Sequence, residues 1–207
     1  MLGKAIQIFS NSQNLGFALR KMTQLELLRF ASSRFDRLEI PWMIVGSHAS
    51  SFYGVPRSTH DIDVVAFIDD NVVRTLVESI SSERHYLSEA AIREGRMAKL
   101  IDTQTGDKLD IFLAEKGSVD WESLKRSKPI LMLGGDYPLI SVEDLILSKL
   151  RWNAMSGDSE RQLADVRGVI QRQFAKLKWS YLREMASGVG LLAQLESLRR
   201  SVESDIE

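Results

Sequence analysis

The chain contains 207 residues, of which 44% are hydrophobic and 27% are charged, a composition typical of a globular domain and too apolar for an intrinsically disordered chain. The length allows one well-filled hydrophobic core, and the formal net charge of -1 excludes an overall field that would draw the protein onto nucleic acid or an anionic membrane. The absence of cysteine excludes disulfides, thiolate metal sites and cysteine nucleophiles, so any metal must be bound through oxygen or imidazole.

The N-terminal part of the chain predicts a helix and then a strand. Residues 1–11 lack the long apolar run of a signal peptide or membrane span, so we expect a cytoplasmic protein without a membrane partner. Residues 23–38 place leucine and phenylalanine at helical spacing, with Thr23 as the N-cap. The apolar run at 42–45 predicts a strand that ends at Gly46-Ser47 and is followed by a short helix.

Three short runs in the middle of the chain, rich in apolar and β-branched residues, predict further strands. They are residues 61–68, 99–102 and 109–113. The last two flank a Gly-Asp turn and should form a hairpin that brings in Asp110. Between the first and the second run, residues 71–80 predict a helix capped by Asp69 or Asp70.

The pattern becomes helical after the break at residues 134–138, so residues 129–133 are predicted to be the last strand. Ser141-Val-Glu-Asp144 resembles a capping box and should begin the next helix. Two more helices are predicted at residues 159–174 and 180–201, the second interrupted by glycines.

The predicted fold class is therefore α/β (α+β), with a mixed β-sheet backed by helices. The sheet and its helices should occupy residues 1–138, and residues 139–207 should form a helical region packed on that core.

Acidic residues near the predicted strands carry the clearest chemical signal. Asp61 and Asp63 stand two apart on a predicted strand, which places both carboxylates on one face. Such a pair repels unless a cation compensates it, and Mg²⁺ or Mn²⁺ prefers oxygen ligands and phosphate. Asp110 on a neighbouring strand would complete the cluster, either as a metal ligand or as a proton acceptor, with Asp107 as the competing candidate.

The turn before these acids suits a phosphate. Gly46 at the end of a strand lets the backbone approach a phosphate closely, and Ser47 at a helix start supplies N–H and hydroxyl donors. Together with the acids, this turn favours in-line attack on the α-phosphate of an NTP, with pyrophosphate as the leaving group. Arg57 either clamps phosphate or forms a structural ion pair, and the sequence leaves both roles open.

The sequence resembles the signature of the DNA polymerase β-like nucleotidyltransferase superfamily: an apolar strand, Gly46-Ser47, thirteen residues, and Asp61-Ile-Asp63 in another apolar strand. More narrowly, it is similar to the bacterial AbiEii-like, or minimal nucleotidyltransferase, group and to lincosamide-type antibiotic nucleotidyltransferases. The residues that carry this narrower resemblance are Tyr53-Gly54, Arg57, Thr59, Asp61-Ile-Asp63, the segment from Asp144 to Lys149, Arg161 and Asp165. The resemblance spans roughly residues 40 to 185.

The resemblance implies an enzyme that moves an NMP group from an NTP to an acceptor hydroxyl on a tRNA end, a protein or a small molecule. It implies that Gly46 and Ser47 contact the triphosphate, that Asp61 and Asp63 hold Mg²⁺ or Mn²⁺, and that Asp110 is the third, catalytic acid. The group includes toxins of toxin–antitoxin systems, so an antitoxin protein is a predicted partner. The alternative is a non-catalytic nucleotide-binding or partner-binding module on the same fold.

The remaining polar residues carry weaker signals. By the resemblance, Lys149 approaches the nucleotide phosphates, and Asp165 orients the helices or pairs with Lys149. The histidines are too scattered for a metal triad, and His60 has no assigned role beside the acids. Several basic residues near the C-terminus are interspersed with acids and predict a solvated face rather than a nucleic-acid surface. They are Lys176, Lys178, Arg183, Arg199 and Arg200.

Overall fold

A computed structural model describes residues 24–59, 61–157 and 159–206. The predictions for residues 1–11, for the N-cap Thr23 and for His60 therefore lie outside the described residues. Among the helices in the described ranges, none combines the length and the apolar character that a membrane crossing requires.

The described residues form a mixed β-sheet. Its strands are β1 (Trp42–Ile44), β2 (Ile62–Ala66), β3 (His85–Leu87), β4 (Met97–Asp102), β5 (Lys108–Leu113), β6 (Lys128–Met132) and β7 (Gly135–Leu139). The strand order is β3-β4-β5-β2-β1-β7-β6. The pairs β2–β5 and β1–β7 are parallel, and the other neighbouring pairs are antiparallel.

Helices surround this sheet. They are α1 (Gln24–Arg37), α2 (Gly46–Tyr53), α3 (Asp70–Ile80), α4 (Glu89–Arg93), α5 (Val119–Arg126), α6 (Val142–Ser156), α7 (Glu160–Gln173), α8 (Trp179–Gly188) and α9 (Leu192–Ile206). The predicted caps are present, since Asp69 accepts from the Asn71 N–H and Ser141 accepts from the Asp144 N–H. A short 3₁₀ turn, Phe174–Lys176, follows α7. The predicted fold class, a mixed sheet backed by helices with a helical C-terminal region, is confirmed.

The prediction that residues 129–133 form the last strand is wrong. Residues 128–132 form β6, which turns at Leu133-Gly134 and pairs with β7 as an antiparallel hairpin. Both turn residues have positive φ, 52° for Leu133 and 73° for Gly134, as a tight hairpin turn requires. The prediction failed because glycine and proline mark loops in a sequence, whereas here Pro138 lies inside a strand opposite Pro129.

No sequence pattern predicted β3, α4 and α5. These elements contain three, five and eight residues, too few for a hydrophobic period to stand out, whereas the equally short β1 and α2 were predicted from an apolar run that ends at Gly46-Ser47. The proposed division at residue 138 falls inside β7, and buried side chains on both sides of it, such as Ile44 and Ile146, belong to one hydrophobic core. The division into residues 1–138 and 139–207 stays a prediction.

Strand alternation positions the site. Successive side chains on a strand face opposite sides of the sheet, so Asp63 and Val65 share one face of β2. Phe112 on β5 lies directly opposite Val65. These side chains line a pocket together with Leu145 of α6, so Asp63 faces that helix across the pocket.

Candidate active site

Asp63 and Asp110 occupy directly paired positions on the parallel neighbours β2 and β5. Paired positions on adjacent strands place their side chains on the same face, so the two carboxylates stand side by side. Burial first, and then the negative charge of Asp110, raise the pKa of Asp63 to about 6. The Ser47 N–H opposes this shift by donating to the Asp63 carboxylate, and Lys149 opposes it through its positive charge.

The other two acids each have a lysine beside them. The Asp110 side chain is 14% exposed, and its Oδ1 lies 3.5 Å from Lys99 Nζ. Within the described ranges this buried Oδ1 accepts no hydrogen bond. Asp61, just before β2, is 44% exposed, and its Oδ1 lies 3.6 Å from Lys108 Nζ.

The predicted acidic cluster is therefore assembled only in part. Asp63 and Asp110 form a close pair, whereas Asp61 lies at the exposed edge beside Lys108. Among the described residues, no three acidic or histidine side chains are already arranged as a metal site. The competing candidate Asp107 lies in the turn before β5, and Asp110 rather than Asp107 occupies the position opposite Asp63.

Gly46 begins α2 directly against Asp63. Its φ is +62°, in the left-handed region that favours glycine. A Cβ atom at this position would lie 2.1 Å from Asp63 Oδ2, far inside van der Waals contact. The backbone N–H of Val45 also donates to the Asp63 carbonyl oxygen at 3.0 Å. The glycine thus gives the Asp63 carboxylate room to lie against the start of the helix.

Arg57 forms the structural ion pair that the sequence left as one of two possibilities. Its Nε and Nη2 atoms donate to the two carboxylate oxygens of Asp165, each at 3.0 Å. Nη2 also donates to Ser47 Oγ at 2.6 Å, so the hydroxyl predicted to meet phosphate is bound to arginine. This network ties the start of α2 to α7.

Lys149 shares the same acid. Its ammonium group donates to Asp165 Oδ2 and to Gln162 Oε1, each at 2.8 Å, and the residue is only 5% exposed. The predicted pair between Asp165 and Lys149 is thus present. Burial lowers the pKa of Lys149, and the hydrogen bond to Asp165 acts against that shift. A buried cation lies within reach of the acidic pair.

A pocket of about 280 Å³ opens beside the acids. Its polar lining includes Asp63, Lys149 and Gln162, and Gly46 lies at its edge. The lining also includes an apolar wall formed by Trp152 and Met155, residues that remain 45% and 76% exposed. Sequence reasoning missed this wall, although both residues follow Lys149 at helical spacing on α6.

No protein-family model and no curated protein sequence matches the chain. Solved structures do match it. The solution structure of the antibiotic-resistance factor ANT(2'')-Ia has a TM-score of 0.54 and 14% identity, covering 88% of this chain and 96% of that one. The crystal structure of ANT(2'')-Ia in complex with adenylyl-2''-tobramycin has a TM-score of 0.52 and 14% identity, covering 89% of this chain and 99% of that one.

A third match comes from Paracoccidioides brasiliensis. The crystal structure of an antigenic nucleotidyltransferase-like protein from this organism has a TM-score of 0.50 and 16% identity, covering 88% of this chain and 94% of that one. Identities this low carry information about architecture and not about individual residues. The chain therefore has the nucleotidyltransferase fold.

Proposed function

We propose that this protein is a nucleotidyltransferase that moves an NMP group from an NTP to an acceptor hydroxyl. One observation carries the proposal: Asp63 lines a pocket that also holds the buried Lys149, and Asp110 lies beside Asp63 on the neighbouring strand. Like charges are costly to bury together, so such a pair is typical of a functional site. The fold of the chain agrees with this activity.

The cationic side chains of the pocket would bind the triphosphate. Lys149 already lines the pocket, and a phosphate oxygen would join Asp165 and Gln162 as an acceptor for its ammonium group. Arg57 follows α2 and does not line the pocket, but its guanidinium donates to Ser47 Oγ at the start of α2, and Asp165 fixes it in one orientation. In this proposal Gly46 and Ser47 form the turn that faces the phosphates, and Asp165 positions the two cations.

The acids fit a hard divalent cation. Burial and the charge of Asp110 raise the pKa of Asp63, so the positive charges of Lys149 and of the partly exposed Lys99 compensate the pair only in part, and Asp110 Oδ1 accepts no hydrogen bond within the described residues. We assign Asp63 and Asp110, with Asp61 at the edge, as the residues that would hold Mg²⁺ or Mn²⁺. When bound, such an ion neutralises negative charge on the triphosphate.

The chain's own residues would then organise the transfer. The Asp110 carboxylate accepts the proton of the acceptor hydroxyl, whose oxygen forms a bond to the α-phosphorus while the bond from that phosphorus to pyrophosphate breaks. Lys149 stabilises the negative charge that this exchange leaves on the phosphates. The wall formed by Trp152 and Met155 offers an apolar surface to the base or to the acceptor.

Three kinds of acceptor suit the same chemistry. One structural neighbour was solved with adenylyl-2''-tobramycin, an adenylylated small molecule, and a tRNA end or a protein hydroxyl would react in the same way. Membership of the AbiEii-like group, a toxin role with an antitoxin partner, and a cytoplasmic location stay predictions from the sequence.

A second candidate function, a non-catalytic binding module, is favoured by the two lysines. Lys99 and Lys108 lie 3.5 Å from Asp110 and 3.6 Å from Asp61, where they supply positive charge that an ion would otherwise supply. Both lysines are partly exposed, at 40% and 38%, so each ion pair is weak and can open. Because the ion pairs of Lys99 and Lys108 can open, we rank the enzyme above the non-catalytic binding module.

The deciding experiment supplies each NTP, labelled at the α-phosphorus, with Mg²⁺ and cell extract, and asks which molecule becomes labelled. The parent protein should label an acceptor, and the Asp63→Asn/Asp110→Asn protein should not. Asp136→Asn, an exposed acid in the β6–β7 hairpin, is the matched control and should keep the parent activity.

Titration calorimetry with NTP and Mg²⁺ then distinguishes the enzyme from the non-catalytic module. If Mg²⁺ adds no NTP binding in the parent beyond what the double-substituted protein shows, the non-catalytic module is favoured.

A further inference from the structure

A second pocket, larger than the first, lies at the other end of α2. Its volume is about 470 Å³, within the range of small-molecule sites. Tyr53, the last residue of α2, lines this pocket. Gly46, the first residue of α2, lines the pocket that contains Asp63 and Lys149, which we call the acidic pocket. A helix rises about 1.5 Å per residue, so roughly 10 Å separates these two marker residues. The second pocket is therefore distinct from the candidate active site.

Positive charge dominates the lining of this pocket. The basic run Lys125-Arg126-Ser127-Lys128 supplies three cations from the α5–β6 turn, and Lys178 before α8 supplies a fourth. The acid in the lining is Glu143, whose Oε1 already accepts the Lys178 N–H at 3.1 Å. Two of the four cations are already paired, Lys125 with Glu122 at 2.6 Å and Arg126 with Asp144 at 2.9 Å. Within the described part of the chain, the side chains of Lys128 and Lys178 form no ion pair, and both residues are exposed. The pocket therefore has cations that remain available to an anion.

A buried acid, Asp144, holds Arg126 and Tyr181 in place at the second pocket. Asp144 is 2% exposed, and its carboxylate accepts hydrogen bonds from Arg126 Nε and Nη2 at 2.9 Å, from the Tyr181 hydroxyl at 2.7 Å and from the Ser141 hydroxyl at 2.7 Å. The guanidinium also lies over the Tyr181 ring, 5.5 Å from its centroid. A buried carboxylate that organises an arginine and a tyrosine at a pocket rim makes a rigid, prebuilt site.

Two further features indicate the chemistry of the ligand. Val142 and Glu143, in the first turn of α6, line the pocket, so the positive end of a fifteen-residue helix lies beside it. The floor is apolar, with Ile130 and Leu139, and the ring of Tyr53 lies beside it. An inorganic anion alone would leave most of this volume and the apolar floor without a contact. The combination suits a phosphate group attached to a flat, partly apolar body.

We propose that this second pocket binds a nucleotide unit through its phosphate group, supplied either as a free mononucleotide or by a single-stranded RNA. Lys128 and Lys178 contact the phosphate, Arg126 fixes its orientation, and the base packs against the apolar floor. The proposal does not depend on nucleotidyl transfer at the acidic pocket.

The test measures binding of adenosine monophosphate, adenosine and a short single-stranded RNA in EDTA, which removes metal-dependent binding at the acidic pocket. The Lys128→Ala/Lys178→Ala protein should bind the monophosphate or the RNA about tenfold more weakly, or worse, because it loses charge-assisted hydrogen bonds. The Lys116→Ala/Lys176→Ala protein loses the same charge from exposed lysines outside the pocket and should bind like the parent. Asp63→Asn/Asp110→Asn should also bind like the parent, which keeps this test independent of the proposed function.

Comparing the monophosphate with the RNA shows whether the nucleotide unit is a free mononucleotide or part of a strand. Pocket-dependent binding of the monophosphate identifies a free nucleotide, and pocket-dependent binding of the RNA alone identifies a strand. Three results would overturn the proposal: neither probe binds the parent, adenosine binds as well as its monophosphate, or both lysine pairs weaken binding equally.

Discussion

Gly46 and Asp63 are in such close contact that a methyl group at position 46 would lie 2.1 Å from a carboxylate oxygen of Asp63. The glycine at this turn is therefore required by the acid as well as by its own backbone angle, φ +62°. This contact brings together in space the two ends of the motif that runs from Gly46 to Asp63. Any side chain at position 46 must displace one of the proposed metal ligands.

Gly46→Ala should destabilise the protein by more than backbone strain alone explains. A non-glycine residue in the left-handed region costs about 1–2 kcal/mol, and the clash with Asp63 adds to that cost. Gly95→Ala is the matched control, because Gly95 has φ +78° and open space within 4 Å of the position that a Cβ atom would take. Urea unfolding should show the larger loss for Gly46→Ala. If Gly46→Ala and Gly95→Ala lowered the free energy of unfolding equally, the contact with Asp63 would contribute nothing to the loss of stability.

Asp165→Asn should destabilise the protein strongly, because it leaves Lys149 buried without its anion. The two side chains are only 9% and 6% exposed, and breaking such a pair from one side costs about 3 kcal/mol. The control is Asp205→Asn, which removes an ion pair with Arg167 whose two side chains are nearly half exposed, and should cost less than about 1 kcal/mol. Urea unfolding of the two variants measures both losses.

A rescue variant separates charge from packing in the same network. Adding Lys149→Met to Asp165→Asn removes the unpaired ammonium group and should recover part of the lost unfolding free energy. If urea unfolding showed no recovery, the acid would act mainly through its two hydrogen bonds with Arg57.

Protonation of Asp102 should account for part of the stability that the protein loses at acidic pH. Burial raises the pKa of this carboxyl, but the hydrogen bonds from Arg84 and from the N–H groups of Gln104 and Thr105 outweigh burial and hold the pKa below its ordinary value. A lowered pKa in the folded state stabilises the protein above the unfolded pKa of about 4, and this stability is lost as the pH falls through the folded pKa.

The pH dependence can be measured by urea unfolding from neutral pH down to about pH 3. The free energy of unfolding of the parent should decline below about pH 4, and Asp102→Asn should be less stable at neutral pH with a shallower decline. Asp136→Asn, at an exposed position, should reproduce the parent curve. A decline that is unchanged in Asp102→Asn would assign the acid sensitivity to other carboxyls.

Magnesium should stabilise the parent protein through the acidic pair. A ligand that binds only the folded state adds about 1.4 kcal/mol at ten times its dissociation constant, so the melting temperature should rise with added Mg²⁺. The Asp63→Asn/Asp110→Asn protein should not respond, and in EDTA it should melt higher than the parent, because like-charge repulsion in a buried pair is removed. Equal responses of both proteins to Mg²⁺ would place the ion elsewhere.

The sequence by itself determined the local elements and the chemistry-bearing motif. Hydrophobic period, caps and turn residues predicted α1, the strand–turn–helix at Gly46, and the β4–β5 hairpin, because each depends on residues near one another along the chain. These elements follow from backbone geometry over short distances along the chain. The two-residue spacing of Asp61 and Asp63 also predicted a shared face, but β2 begins at Ile62, and Asp61 lies just before it beside Lys108.

Only the tertiary structure decided which distant residues meet. The parallel register of β2 and β5 places Asp110 opposite Asp63, and no local pattern fixes a register between strands that are far apart in sequence. The same holds for Asp165, which reaches both Arg57 and Lys149 from α7. Long-range pairing depends on how the whole core packs. The sequence could therefore name the candidate acids, but their partners emerged only from the fold.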